Sequence, residues 1–141
     1  IKFDLIMHFF VFEHIRDPIN FINIQKKILN KKGKIIFEIP CYEDPLYKLY
    51  DLPNFERFYW SKAHPYYYNK DSLEFILKKN KVKYELFFEQ RYNLANHLYW
   101  FEYGRPGGQD MYKNLISKKQ NEIYKRKILN NGFGSFNKSS I

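Results

Sequence analysis

The sequence is poor in cysteine and in long apolar runs. Cys41 is the only cysteine among 141 residues, so an internal disulfide is excluded and we expect a reducing, cytoplasmic location. No apolar run approaches the roughly 20 residues that a membrane-spanning helix needs. The first residues do not resemble a signal peptide. These features argue against a disulfide-stabilised secreted scaffold and predict no contact with a membrane.

Glycine is scarce as well, and its placement matters more than its number. The sequence has 6 glycines; apart from Gly33 they lie in two clusters, at 104–108 and 132–134. A nucleotide-binding loop needs glycines directly after a buried strand and before a helix, because the backbone there must approach the ligand closely. Neither cluster has that setting, so neither is predicted to hold a cofactor. The histidines at 8, 14, 64 and 97 and the single cysteine show no metal-ligand spacing, so no metal site is predicted.

Acidic residues are few near the C-terminus. The net charge is +9, and residues 113–141 carry seven Lys/Arg against one acid, Glu122. Such a segment could contact an acidic partner, or it could be a solvated helix face. No RNA-binding motif accompanies it, so a nucleic-acid partner is not favoured. The abundance of apolar residues, 45% with 21% aromatic, indicates a globular chain.

The first forty residues predict a strand, a helix and a second strand. Residues 2–10 are apolar on both faces, as in a central parallel strand covered by helices on each side. The helix is predicted over 17–34, with Asp17 as its cap and Gly33 in the left-handed conformation at its end. A second buried strand follows over 34–40. This order is typical of a right-handed crossover in a parallel sheet.

The remaining segments alternate in character. An aromatic insertion at 41–68, without a clean period, interrupts the α/β rhythm, and elements of this kind cover substrates in such folds. After it we expect, in order, a helix over 69–80 capped by Asn69, a strand over 81–92, a basic helix over about 110–130, and a polar tail broken by glycines.

Four motifs resemble the class I S-adenosylmethionine-dependent methyltransferases, most closely the group with ubiquinone-biosynthesis and sugar methyltransferases. They are FDLI followed by VFEHIRDP, then KGKIIFEIP, HPYYYNKDSLEFIL and RYNLANHLYWFEYGRPGGQ. The matching residues in the first two are Asp4, Val11, Glu13, His14, Ile15, Asp17, Pro18, Gly33 and Pro40. The resemblance covers about residues 2–109. Residues 1–109 are therefore expected to be the C-terminal half of a methyltransferase domain, with 110–141 as a basic helix and tail.

The resemblance implies an α/β fold, namely a partial Rossmann-like sheet that holds strands four to six of the family, with helices on both faces. The front half of that fold, with its Gly-rich loop and ribose-binding acid, has no counterpart in these residues. S-adenosylmethionine is the implied cofactor, and the isolated chain is expected to be inactive without the missing half. The chain is also expected to stop before the seventh strand of the family.

The resemblance also implies roles for individual residues. His8 and Phe9 would contact the methionine end of the cofactor. Glu13 and His14 would lie near the reacting methyl, and His64 is a second candidate base. Each has an alternative reading: His14 could shape the turn, Glu13 could bind loop amides, and His64 could be a packed histidine.

The acceptor would be a small molecule, and a sugar or nucleotide-linked sugar suits the residue types. Aromatic faces stack on sugar C–H groups, while polar side chains bind hydroxyls and arginine binds phosphate. The predicted substrate-binding residues are Tyr66, Arg91, Tyr92, Asn96, His97, Trp100 and Arg105. Alternatively, NHLYW is an amphipathic helix that packs on the sheet and GRPGG is a turn.

A second hypothesis is a non-catalytic, degenerate methyltransferase-like module that binds an acidic partner through its basic C-terminal segment. Under either hypothesis, strands that lie in mid-sheet in the whole family fold would present a bare edge here. Exposed edges and apolar patches favour self-association.

Overall fold

The computed structural model describes residues 1–141, which divide into two compact units. Unit 1 holds residues 1–41, 62–87 and 137–141, and unit 2 holds residues 42–61 and 88–136. The elements in chain order are β1 (Phe3–Phe9), α1 (Pro18–Ile28), β2 (Leu29–Pro40), α2 (Pro45–Lys48), α3 (Pro53–Tyr59), α4 (Lys70–Lys79), β3 (Glu85–Glu89), α5 (Leu94–Tyr103), α6 (Lys118–Asn130) and β4 (Phe136–Ser140). The α/β class predicted from the sequence is confirmed.

The crossover at the start of the chain is confirmed. β1 and β2 pair in parallel, with Ile6 opposite Ile35 and His8 opposite Phe37. Asp17 caps α1 as predicted, since its side chain accepts a hydrogen bond from the backbone N–H of Asn20 at 3.0 Å.

The end of α1 differs from the prediction. The helix stops at Ile28, and Leu29 already has extended backbone as the first residue of β2. Gly33 is therefore a strand residue and not a left-handed cap. A Cβ on Gly33 would lie 2.9 Å from the carbonyl oxygen of Phe3, so glycine allows the two strands to approach closely at this point.

The core of unit 1 lies on one face of the β1–β2 pair. Ile35, Phe37 and Ile39 alternate along β2 and are fully or almost fully buried, as their period of two requires. They pack with Phe12, Ile22 of α1, Tyr68 and the α4 residues Leu73, Ile76 and Leu77. The predicted cap of α4 is confirmed, since Asn69 and Ser72 form a capping box.

The other face of β1 is exposed, contrary to the prediction of a strand covered on both sides. Phe3, Leu5, Met7 and Phe9 share this face, and Met7 is 57% exposed. α1 supplies Ile22 and α4 supplies Leu73 to the opposite face, so neither helix covers this row. β1 is also the edge of the sheet, whose order is β1-β2-β4-β3. The expected bare edge is therefore present.

The C-terminal residues form a strand and not a polar tail. β4 lies between β2 and β3 in the sheet, and its Asn137 and Ser139 are buried. Ile35 and Ile141 exchange two backbone hydrogen bonds of 2.9 Å, the pattern of an antiparallel pair. The expectation that the chain stops before a further strand is therefore wrong.

Unit 2 is mainly helical. The aromatic insertion contains the short helices α2 and α3, which the sequence did not predict. Leu46, Phe55 and Trp100 form its buried apolar cluster, with Tyr47, Tyr50, Leu52 and Tyr59 packed against them. None of the helices combines the length and the apolar character that a membrane-spanning segment needs.

Candidate functional site

The loop after β1 places two of the predicted catalytic residues. Phe10 has a φ of 57°, a left-handed turn at which the chain leaves the strand, and its N–H bonds to the carbonyl of Glu38 at 2.9 Å. A short 3₁₀ helix over Phe12–His14 follows. Phe12 is buried in the core and anchors this turn, so Glu13 and His14 are held at the carboxyl end of the parallel pair. Ligand sites of open α/β sheets lie at this edge.

His64 joins these two residues from a distant part of the sequence. One carboxylate oxygen of Glu13 and one ring nitrogen each of His14 and His64 all lie within 4.8 Å of one another. The His14 and His64 rings meet edge to face with centroids 4.6 Å apart. His14 Nδ1 lies 2.8 Å from the carbonyl oxygen of Ala63, and because a carbonyl only accepts, Nδ1 carries the proton. We call these three residues the Glu–His–His cluster.

Burial sets the electrostatics of the Glu–His–His cluster. Glu13 is 3% exposed, and this burial raises the pKa of its carboxyl group, while a backbone hydrogen bond and the charge of His14 oppose the rise. Burial also lowers the pKa of His64, and the neighbouring His14 lowers it further. The cluster thus joins a carboxyl group that resists ionisation to an imidazole that resists protonation, which is typical of functional sites.

Two tyrosines that closely follow His64 in the sequence, Tyr66 and Tyr68, are associated with the Glu–His–His cluster. The hydroxyl of Tyr66, a predicted substrate-binding residue, donates to the carbonyl of Arg16 at 3.1 Å. Tyr68 is buried, its hydroxyl makes no hydrogen bond, and burial together with the charges of Tyr66 and Glu13 raises its pKa. The sequence analysis missed Tyr68, although its place in the aromatic run HPYYY was a signal.

The predicted cofactor residues have different surroundings. The His8 ring lies among the rings of Phe12, Phe21 and Phe37, with centroids 5.2 to 6.2 Å away. Burial lowers the pKa of His8, and its interaction with Gln25 opposes this. Phe9 is 50% exposed at the end of β1, so its ring can contact a cofactor. Phe9 therefore fits S-adenosylmethionine better than the enclosed His8 side chain does; both roles stay predictions.

Three predicted substrate residues are buried in unit 2. His97 is hydrogen-bonded to Tyr124 at 2.6 Å and lies 3.3 Å from Gln90, and burial lowers its pKa to about 4. Asn96 donates to the carbonyl of Gly107 at 2.6 Å. Trp100 packs edge to face on Phe55, with centroids 5.1 Å apart. These contacts give each residue a structural role, and their binding role stays a prediction.

The other predicted substrate residues of unit 2 are more accessible. The Arg91 guanidinium lies 4.7 Å from the ring centroid of Phe136 and 3.8 Å from the Glu89 carboxylate. Tyr92 packs on the same phenylalanine. Arg105 is exposed beyond Gly104, which ends α5 in the left-handed conformation. The binding roles of Arg91, Tyr92 and Arg105 also stay predictions.

The GRPGG segment is a turn at the end of α5. Gly107 and Gly108 have positive φ, and a Cβ on Gly108 would lie 2.3 Å from Cβ of Tyr99. The glycines thus permit the chain to fold back on its own helix. The segment therefore has the turn conformation that the alternative interpretation of GRPGG gave it.

The buried carboxyl group of Asp44 in unit 2 should make the stability of the folded chain depend on pH. Burial raises its pKa from 3.8 to about 7, against a hydrogen bond from the backbone N–H of Leu46. The unfolded chain therefore loses this proton first as the pH rises, so stability should fall between pH 3.8 and about 7. The expected slope is roughly 1.4 kcal/mol per pH unit, measurable by urea unfolding at several pH values.

Asp44→Asn is the matched control for this prediction, because the amide oxygen can still accept from Leu46. This variant should lose most of the pH dependence and gain stability relative to the natural chain above pH 7. An unchanged slope in Asp44→Asn would show that other groups cause the effect.

Comparison with known proteins agrees with this geometry. A family model described as a methyltransferase domain matches residues 2–83, more than half of the chain. The chain belongs to this methyltransferase domain family. No curated protein matches it.

Two solved structures of methyltransferases are similar to the chain. A SAM-dependent methyltransferase from Archaeoglobus fulgidus superposes with a TM-score of 0.55 at 17% identity, over 99% of this chain and 58% of that protein. A protein of Bacillus halodurans C-125 described as a methyltransferase gives a TM-score of 0.46 at 16% identity, over 99% and 62%. The chain therefore spans less than two thirds of the length of each. The first likeness confirms the predicted partial Rossmann-like methyltransferase fold.

Proposed function

We propose that the chain takes part in S-adenosylmethionine-dependent methyl transfer to a small, carbohydrate-like acceptor. The Glu–His–His cluster carries this proposal. It brings together residues that are fifty positions apart in sequence, at the carboxyl ends of the parallel strands, where such folds bind ligands. The family assignment supports methyl transfer in general, and the acceptor class is our addition.

When bound, S-adenosylmethionine supplies a methyl group already activated by a positive sulfur. The protein then has to orient the acceptor and remove its proton. The Ala63 carbonyl fixes the Nδ1–H tautomer of His14, so Nε2 can accept a hydrogen bond from an acceptor hydroxyl. The lowered pKa of His64 keeps its ring neutral at neutral pH, and therefore able to accept a proton as well.

A carbohydrate-like acceptor is supported by the aromatic surface of the chain. Tyr66 of unit 1 is exposed, as are Phe58 and Trp60 of unit 2. Exposed rings offer faces for sugar C–H groups, and Arg105 could bind the phosphate of a nucleotide-linked sugar. We propose that Arg91, Tyr92, Asn96, His97 and Trp100 of unit 2 have the acceptor-binding roles that the resemblance implies.

We further propose that the cofactor-binding half is supplied by residues outside this sequence. Support comes from the apolar row of Phe3, Leu5, Met7 and Phe9 on a sheet edge, which a further strand and helix would cover. On its own the chain would then be inactive and prone to self-association. The single, buried Cys41 supports a reducing compartment such as the cytoplasm.

The test is a transfer assay with the polypeptide encoded when the reading frame is extended upstream of Ile1. We expect labelled methyl to pass from S-adenosylmethionine to a hydroxyl-bearing acceptor in a panel of sugars, nucleotide sugars and phenols. One S-adenosylhomocysteine should form per methyl transferred. Absence of transfer to any acceptor by a polypeptide that binds the cofactor would contradict the proposal.

One observation favours the alternative of a non-catalytic module. α6 carries exposed basic residues, among them Lys118, Lys119 and Arg126, which suit an acidic partner. A start codon close to Ile1, with no Gly-rich half upstream, would support this alternative. An in-frame Gly-x-Gly half would support the enzyme.

A further inference from the structure

The donor types in the Glu–His–His cluster match a metal site. Two imidazoles and one carboxylate are a common ligand set for catalytic zinc and for other divalent transition metals. Magnesium and calcium prefer oxygen ligands alone, so two histidines disfavour them. Spacing along the chain could not reveal this set, because His64 lies fifty residues from His14.

The distances are close to those of a bound ion. The ligand-type atoms lie within 4.8 Å of one another. Two atoms bound to one zinc ion at roughly 2.0–2.2 Å are about 3.4 Å apart in tetrahedral geometry. The three ligand atoms would therefore have to move closer together when an ion binds; His14 is exposed and His64 is partly exposed.

Two polar atoms of the cluster are buried without a hydrogen bond. They are Oε2 of Glu13 and Nδ1 of His64. Glu13 is 3% exposed, so its carboxyl group needs a cation or a hydrogen-bond donor nearby in order to ionise. A metal ion bound to Oε2 would satisfy that requirement.

The surroundings of His14 also suit a metal ligand. Its Nδ1–H donates to the Ala63 carbonyl at 2.8 Å, which leaves the Nε2 lone pair free. Histidines that bind metals usually donate their other ring N–H to a carbonyl or carboxylate in this way.

We propose that Glu13, His14 and His64 bind one divalent transition metal ion of the zinc type. The three side chains leave a fourth position open, as in catalytic sites. The role of the metal ion in methyl transfer rests on the proposed function, whereas the binding of the ion does not. With the ion bound, His14 and His64 would be its ligands, and the ion would replace them in activating the acceptor, since a hydroxyl in the fourth position would lose its proton to solvent more readily. The oxygen would then bond to the methyl carbon while the S–CH₃ bond breaks and its electron pair stays on sulfur.

The test is a zinc titration of the tag-free 141-residue chain by calorimetry, without cofactor or acceptor. We expect one Zn²⁺ per chain, with no comparable binding of Mg²⁺. Co²⁺ should give the visible absorption of a low-coordinate site with nitrogen and oxygen ligands. Glu13→Gln and His64→Ala should each weaken Zn²⁺ binding by at least about 10-fold.

Glu122→Gln is the matched control, since Glu122 is an exposed glutamate of α6 and should leave the affinity unchanged. Glu13→Gln keeps the size of the side chain, and circular dichroism checks that each variant folds. A folded natural chain that binds no Zn²⁺ would overturn the proposal, as would affinity that survives both cluster variants. Because no cofactor is present, either result leaves the proposed methyl transfer to be tested separately.

Discussion

Replacing His14 by asparagine in the complete, cofactor-binding polypeptide should slow methyl transfer by about 10²–10⁴-fold, the usual contribution of a group that handles a proton in the transition state. Asparagine keeps polarity and removes the Nε2 lone pair, which the Nδ1–H bond to Ala63 leaves available in the natural chain. The loss should appear in kcat and kcat/KM alike, while KM for S-adenosylmethionine changes little. Initial rates of labelled methyl transfer measure both constants.

Glu85→Gln is a suitable control for this experiment, because Glu85 is an exposed residue at the start of β3 in the same unit. Its rate should equal that of the natural polypeptide. A rate for His14→Asn within about 3-fold of the natural one, well below the usual contribution of proton transfer, would remove His14 from the chemistry. His14 would then only shape the turn, as the alternative reading of the sequence had it.

Replacing Phe37 by alanine should lower the free energy of unfolding by about 3–5 kcal/mol, the usual cost of deleting a buried phenyl ring. Phe37 is 1% exposed in β2, and its ring stacks on His8 at 5.2 Å and on Phe12 at 5.0 Å. The cavity would therefore open directly beneath the turn that carries Glu13. Urea unfolding followed by far-UV circular dichroism measures the loss.

Phe75→Ala provides the comparison for Phe37→Ala. Phe75 belongs to α4 in the same unit and is 59% exposed. The same change of side chain should cost less than about 1 kcal/mol at this position, because little apolar area returns to water. Equal losses in the two variants would mean that the core of unit 1 is not packed around Phe37.

Local signals explain which parts of the fold the sequence predicts. β1, α1 and β2 follow from apolar runs, and the capping residues Asp17 and Asn69 mark where helices begin. The end of α1 was mispredicted because Lys-Lys-Gly suits a helix terminus, whereas the pairing of Leu29 with Phe3 extends the strand. Tertiary contact overrides helix propensity there.

β4 could not be predicted from its own composition. Phe136–Ser140 consists mainly of asparagine, lysine and serine, which are poor strand signals. Its place between β2 and β3 comes from pairing with strands that lie far away in sequence. The buried Asn137 donates to the carbonyl of Tyr68 at 3.1 Å, a contact that only the fold can create.

In the candidate site too, local sequence signals point to some residues, and long-range contacts determine the rest. A motif drew attention to Glu13 and His14, but their meeting with His64 depends on the path of the chain between β2 and Tyr68. The sequence could not show that His97 is buried beside Tyr124 and Gln90, because Asn-His-Leu-Tyr-Trp has the polarity of a ligand-binding surface. The histidines of the cluster and His97 are the same residue type, and they differ in how deeply the fold buries them.

The central proposal is that these residues form the acceptor side of a methyltransferase whose cofactor half lies outside the sequence. Calorimetric titration of the 141-residue chain with S-adenosylmethionine tests it most directly. We expect no binding tighter than roughly 100 μM, about 5.5 kcal/mol at the 1 M standard state. Tighter binding would contradict the proposal, because the loop after β1 or the GRPGG turn would then hold the cofactor without a Gly-rich half.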